Sequence, residues 1–270
     1  MRAFACFSAI SLALLGCAPP PSAPPAGGAA PRRVVSLNLC TDELLLLLAE
    51  PAQIASLTHL AGREEEFVLW REARAFPAND GTLAAAAALD PDLVLTMGGG
   101  GDRLRIAERL GVPAIDLPFP RTLDEVIAAI RQVGAALGRA PQGEALVAEI
   151  EELRRSASPA DQDTIWIGGG GRTVPSEGLE AQWMALAGLR QRALNGDQVQ
   201  LEELLVRPPR ILLRSDYRQR QYSRAQAWLT HPLARAAGNS RTLPTDGRRW
   251  TCMGPLMSDE IRRLRRERAA

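Results

Sequence analysis

The chain has 270 residues, 46% of them hydrophobic, and a formal net charge of +1. That is enough apolar material for one large domain or two small lobes, and it excludes a disordered tail. Every one of the 32 basic residues is Arg, a bias that fits GC-rich coding, and their scattered positions give no one-sided field of the kind that grips nucleic acid.

In chain order, the first thirty residues read as an address. Arg2 supplies a minimal positive region, and Ala3 to Leu15 form an apolar stretch too short for an ordinary transmembrane helix. The stretch ends Leu14-Leu15-Gly16-Cys17, which is similar to a bacterial lipobox, so Cys17 is expected to carry lipid after the leader (residues 1–17) is removed. Residues 18–32, rich in Pro, Ala and Gly, lack apolar periodicity and read as an extended tether. Of the four Cys, Cys6 lies in the leader and Cys17 in the lipobox, which leaves Cys40 and Cys252 in the folded part. One pair is no disulfide framework, although an extracytoplasmic setting permits a bond.

Short β-rich runs then alternate with helical ones, the pattern of an α/β protein with largely parallel strands. Strands are predicted at Val34–Leu37, Ile54–Leu57, Leu93–Thr96 and Ala114–Leu117, with a helix apolar on every side around Leu44–Leu48 that Thr41 or Asp42 can cap. Thr122 and Glu125 match a capping box, followed by apolar residues at helical spacing up to Gly138. A second helix is predicted from Pro141 to Ser156; its roughly sixteen residues would reach about 24 Å, enough to cross between two lobes. Beyond it the sequence predicts strands at Thr164–Ile167, Ile211–Leu213 and Thr242–Pro244. Helices are predicted at Leu179–Leu189, Leu201–Val206 and Ala225–Leu233, with a solvated Arg-rich helix from Ser258.

Few residues offer chemistry. Gly98–Gly101 and Gly168–Gly171 each follow a strand, but neither run spells a phosphate loop or a dinucleotide fingerprint. Both would still sit at strand carboxyl ends, where open α/β sheets bind ligands. The two His, His59 and His231, lie in different halves, and no His-x-x-x-His or Cys-x-x-Cys spacing points to a bare metal ion. No nucleophile elbow is present, so an α/β hydrolytic enzyme is the weakest of the readings kept.

Three segments carry a resemblance. Arg33-Val34-Val35-Ser36-Leu37-Asn38-Leu39-Cys40-Thr41-Asp42-Glu43-Leu44 resembles the opening strand and helix of the periplasmic-binding family for cobalamin, haem and ferric siderophores. Ala88-Leu89-Asp90-Pro91-Asp92-Leu93-Val94-Leu95 is similar to that family's turn into a strand, and Leu201 to Ile211 resembles the equivalent segment of the second lobe. The likeness covers about residues 33 to 268 in order. It implies two Rossmann-like α/β lobes, residues 33–140 and 158–270, joined by a single long helix (141–157), with a ligand cleft between them. It also implies a non-enzymatic, monomeric binding protein in the periplasm, held to the membrane only by its lipid. Such a protein would have no permanent cofactor and would deliver a cobalt or iron chelate to an ABC permease. An accessory or sensor protein of the same fold is the alternative.

The implied cleft loops comprise Asn38 to Thr41 (with Cys40), His59, Met97 to Gly99 (with Gly98), Phe119, Gly169 to Arg172, Tyr217 and Arg248 to Cys252, with Trp250 the leading ligand contact. Aromatic and Arg side chains there would suit a planar or anionic chelate. Glu202 matches the second-lobe carboxylate that such proteins present to the permease. The first-lobe equivalent falls in Thr82-Leu83-Ala84-Ala85-Ala86-Ala87, which has no carboxylate; Asp80 is the nearest substitute. On the same resemblance Cys40 and Cys252 lie on opposite lobes, and free thiols contacting the chelate are expected. A lobe-locking disulfide is the competing outcome.

Overall fold

A computed structural model describes residues 29–215, 231–232 and 240–269. Apolar runs bounded by turns become strands, and the central ones, Val34–Ser36 and Leu93–Met97, are buried throughout, as strands covered on both faces must be. β1 (Val34–Ser36), β2 (Ile54–Thr58), β3 (Ala78–Asn79), β4 (Leu93–Met97) and β5 (Ala114–Leu117) form one sheet in the order β3-β2-β1-β4-β5. β6 (Gln162–Ile167), β7 (Leu189–Gln191), β8 (Ile211–Ser215) and β9 (Arg241–Thr245) form the second, in the order β7-β6-β8-β9. Every pairing between these strands is parallel. The fold is therefore α/β with two lobes.

Helices supply the crossovers. In the first lobe they are α1 (Leu39–Leu48), α2 (Trp70–Ala73), α3 (Leu83–Ala87) and α4 (Gly100–Arg109). α5 (Leu123–Ala136) and α6 (Ala140–Arg155) carry the chain from the first sheet to the second. Thr122 caps α5 by accepting the Glu125 N–H, while the Glu125 carboxylate reaches back to the Arg121 N–H rather than to the cap residue itself. Gly138 ends the α5 segment at φ +70, a conformation that disfavours any side chain. The two helices cross closely at Gly134 and Gly143, where a Cβ on Gly134 would stand 3.4 Å from the Gly143 Cα. The remaining described helices are α7 (Leu179–Leu186), α8 (Leu201–Val206), α9 (Arg249–Cys252) and α10 (Met257–Ala269).

Several expectations are corrected. The cap of α1 is Asn38, whose Oδ1 accepts the Cys40 N–H at 2.8 Å; Thr41 and Asp42 lie inside the helix. The helix expected to run to Leu189 stops at Leu186, and Leu189–Gln191 is instead strand β7, because its Leu and Gln alternate inward around the exposed Arg190. β3, two residues long, was not anticipated. α10 is not solvated all round: Met257, Ile261 and Leu264 are fully buried on one stripe, and the Arg residues occupy the other face. The helix expected over Ala225–Leu233 lies largely outside the described residues.

One contiguous apolar cluster runs from Leu45 and Leu95 through Ile130 and Ile150 to Trp183, Leu213 and Ile261. The lobes thus share a packed seam along α5, α6 and α7. Hinge motion between them is accordingly restrained by close packing, which resists graded deformation.

Candidate functional site

The site is built where the carboxyl ends of the strands meet the segment after β9. Asn38 and Thr41 shape the β1–α1 turn. The fully buried Thr41 hydroxyl lies 2.7 Å from the Ser36 hydroxyl and donates to the Asn38 carbonyl at 2.9 Å. Thr41 is therefore a brace with no surface to offer a ligand, which corrects its expected role. With the turn fixed, residues 40, 42 and 43 point to three different neighbours.

Cys40 is joined by a disulfide to Cys252 of α9, with Cα atoms 5.1 Å apart and 212 residues of chain between them. The expectation of free, ligand-facing thiols is corrected: paired sulfurs have no thiolate to give a metal. The pairing is possible because the Asn38 cap sets Cys40 at the start of a helix that faces α9 across the lobe boundary.

Asp42 turns back into its own lobe, accepting the Thr58 N–H at 3.1 Å and the Thr58 hydroxyl at the end of β2. Burial pushes its pKa up to about 6 although those hydrogen bonds pull it down. Glu43, 2% exposed, crosses to the second lobe and accepts the Leu256 N–H at 3.1 Å. Burial lifts its carboxyl to about 7, opposed by the Leu256 hydrogen bond and the nearby Arg249 cation. Gly254 is required opposite it, since a Cβ there would stand 2.5 Å from Glu43 Oε1. Sequence reasoning missed this bridge, but it left a signal: two adjacent carboxylates near the start of a helix whose remaining residues are mostly Leu have little chance of reaching water.

Arg248 forms a second bridge. Its guanidinium pairs with Asp246 and donates to the Glu64 carbonyl of the first lobe at 2.7 Å. Leu123 N–H donates to Gln182 Oε1 at 2.9 Å, a third. The Trp183 indole N–H holds the turn after α9 by donating to the Met253 carbonyl at 2.9 Å.

Trp250, expected as the leading contact, is only 7% exposed. Its indole N–H donates to the Thr245 hydroxyl at 2.7 Å and its ring meets Trp166 edge-on at 6.1 Å, so it packs within the wall of the site. The Trp166 indole N–H is buried and has no hydrogen-bond partner among the described residues.

Between the lobes lies a recess of about 280 Å³, counting its open mouth, lined by Cys40, Leu44, Met97, Pro120, Val126, Ala129, Cys252, Gly254 and Pro255. Met97 lines this recess together with the disulfide. Nearby in the first lobe, Gly98 adopts φ +70 with the Phe119 ring packed against it so closely that a Cβ would overlap the ring; Phe119 is itself 58% exposed. His59 is exposed after β2, its N–H bonded to the Asn79 carbonyl at 2.9 Å. In the second lobe Gly169 begins a short 3-10 turn, and the exposed Arg172 that follows pairs with Asp197. Tyr217 and Cys17 lie outside the described residues. Glu202 is exposed in the first turn of α8, and Asp80 accepts from both the N–H and hydroxyl of Thr82 at the start of α3. Among the described residues no group of three His, Cys, Asp or Glu is gathered that could hold a bare metal ion.

Solved structures share this fold. A siderophore-binding protein, BauB, solved with ferric iron and two acinetobactin molecules, superposes with a TM-score of 0.69 at 15% identity, covering 88% of this chain and 92% of its own. A periplasmic haem-binding protein from Pseudomonas aeruginosa gives 0.62 at 19% identity, covering 87% and 91%. The periplasmic vitamin B12-binding protein BtuF of Vibrio cholerae gives 0.61 at 16%, covering 87% and 96%. No curated protein matches the chain. A family model described as "Periplasmic binding protein" matches residues 34–236, most of the folded part, and the chain therefore belongs to the periplasmic binding protein family.

Proposed function

We propose that this protein is the lipid-anchored, extracytoplasmic binding component of an ABC importer and captures an iron or cobalt chelate for delivery to the permease. The observation that carries the reading is the recess between two parallel sheets, lined mostly by apolar residues, in a chain of the periplasmic binding family. Structural neighbours named for haem, a ferric siderophore and vitamin B12 support a chelate over a free ion, as does the lack of a gathered ligand set among the described residues. The lipobox at Cys17 and the tether behind it support the anchor. Glu202 on α8 is the carboxylate offered to the permease, and Asp80 at the start of α3 stands in for the absent first-lobe glutamate.

The absent glutamate in Leu83–Ala87 also favours a second reading, an accessory or sensor protein that does not dock symmetrically. Native mass spectrometry of protein purified from its own cells, followed by titration with haem, cobalamin and several ferric siderophores, tests the main reading. One chelate per chain is the expected result. Tight binding of zinc or manganese with no response to any chelate refutes it. Loss of pull-down with the permease in Glu202→Ala separates importer from accessory protein.

A further inference from the structure

The second lobe carries an apolar projection that its own core does not explain. α8 buries Leu204 completely, in a small cluster with Ile165, Val199 and Leu212. The two residues that follow face water: Leu205 is 47% exposed and Val206 77%, the most exposed large apolar side chain among the described residues. Glu202, three and four positions before them, is exposed as well, so helical spacing gathers all three on one outward face. Scattered exposed apolar side chains are ordinary, but neighbouring ones rimmed by charge mark contact surfaces.

A helix of six residues does not hold itself in water, and the residue capping α8, Gln200, makes no side-chain capping bond. Arg192, directly after β7, holds the helix instead. Its side chain is only 11% exposed and is fixed by a two-pronged pairing with Asp163 of β6. From there Nη1 donates to Glu203 Oε1 at 3.2 Å in the first turn of α8 and to the Arg207 carbonyl at 2.5 Å just past its end. Both ends of the helix are thus tied to the sheet. Of the two adjacent acids, Glu203 is drawn to the lobe and Glu202 is left facing outward. Side chains held on such a support lose little freedom when a partner covers them.

The equivalent helix of the first lobe is α3, which leads into β4 beside β1 as α8 leads into β8 beside β6. It consists of Leu83 and four Ala, with no acid and no exposed large apolar side chain. A partner that meets both lobes finds its grip on the second.

We propose that Glu202, Leu205 and Val206 form a one-sided docking patch for the permease, with the apolar pair as its main contact and the buried Arg192 as the residue that positions it. The occupant is an extracytoplasmic permease surface that presents a cation bordered by apolar side chains, the complement of one acid beside two aliphatic groups. The inference rests on the importer reading proposed above and names how that protein meets its partner.

Photo-crosslinking in the protein's own cells tests the occupant. The full chain carries benzoylphenylalanine in place of Val206, and the adduct is identified by mass spectrometry. A subunit of an ABC permease is expected. An adduct with a second copy of this chain overturns the patch as a permease site, and so does the lack of any adduct in protein that binds a chelate. The permease so identified, held in nanodiscs, is then titrated with wild type and variants at about 0.5 M NaCl, where exposed ion pairs are screened. Leu205→Ser/Val206→Ser should bind about tenfold more weakly, the change expected when two largely exposed aliphatic side chains lose their cover. Equal binding overturns the role of the pair and leaves the importer reading standing. Arg192→Met should weaken wild type by a similar factor and add little in the double variant, as a residue acting through the pair must; additive losses overturn the positioning role. Should Arg192→Met lose its fold by circular dichroism, Arg192→Lys, which keeps the charge without the fork that reaches both ends of α8, takes its place. A permease adduct and weakened variants, with no haem, cobalamin or ferric siderophore bound by wild type, support the patch and refute the chelate as cargo.

Discussion

Replacing Glu43 by Gln tests the electrostatics of the lobe boundary. The carboxyl is almost fully buried, and its pKa rises from the ordinary 4.5 to about 7, chiefly through burial and in spite of the Leu256 N–H and the Arg249 cation. A raised carboxyl pKa means that the folded protein holds the proton more tightly than the unfolded chain does. The associated stability is fully present below about pH 4.5 and is lost as pH rises through 7. At about 1.4 kcal/mol for each pH unit of difference, the loss amounts to roughly 3 kcal/mol by pH 8. Glutamine keeps a carbonyl oxygen for the Leu256 N–H and fills the same space against Gly254, but it carries no charge. The variant should match wild type in denaturant unfolding near pH 4.5 and exceed it progressively towards pH 8, with a melting-temperature gain of about 2–4 °C per kcal/mol. Asp42, also raised, is present in both proteins and cancels in the difference. Parallel stability profiles from pH 4.5 to 8 would show that Glu43 is not a buried, proton-holding group.

Trp250→Ala removes a ring packed on Trp166 and should lower stability by about 3–5 kcal/mol in urea unfolding; a loss of haem binding at unchanged stability would return Trp250 to the role of ligand contact. Opening the disulfide in C40S/C252S frees a 212-residue separation in the unfolded chain and should destabilise by about 5 kcal/mol, measured by guanidinium unfolding of oxidised and variant protein; a difference under about 1 kcal/mol refutes the cross-link's contribution. Gly98→Ala places a side chain at φ +70 and into the Phe119 ring, so a loss of at least about 1–2 kcal/mol is expected, together with altered Phe119 resonances in NMR spectra; unchanged resonances contradict the contact. Cys17→Ser should release soluble protein and abolish lipid labelling; unaffected membrane fractionation and labelling exclude the anchor.

Much of the fold was legible in the chain because strands buried on both faces need uninterrupted apolar runs, and Val34–Ser36 and Leu93–Met97 supply them whatever surrounds them. The α5 cap was legible too, since Thr122 and Glu125 act within a few residues of each other. Less local features escaped. β7 has one inward Leu, one exposed Arg and one buried Gln, a pattern too short to separate from the end of α7 until it pairs with β6. Asn38, Thr41 and Asp42 are all competent caps, and the choice fell to Asn38 because Thr41 and Asp42 find partners on β1 and β2. The residues alone carried the two-lobe resemblance and the carboxyl-end location of the site. Only the tertiary structure decided that Cys40 bonds to Cys252, that Glu43 bridges the lobes and that Trp250 packs against Trp166 and Thr245. The first two depend on partners brought near by the packing of α1 against α9, and distance through space between residues some two hundred positions apart is not written in either one's neighbours; Trp250 is enclosed within its own lobe, by Thr245 and by Trp166 on another strand.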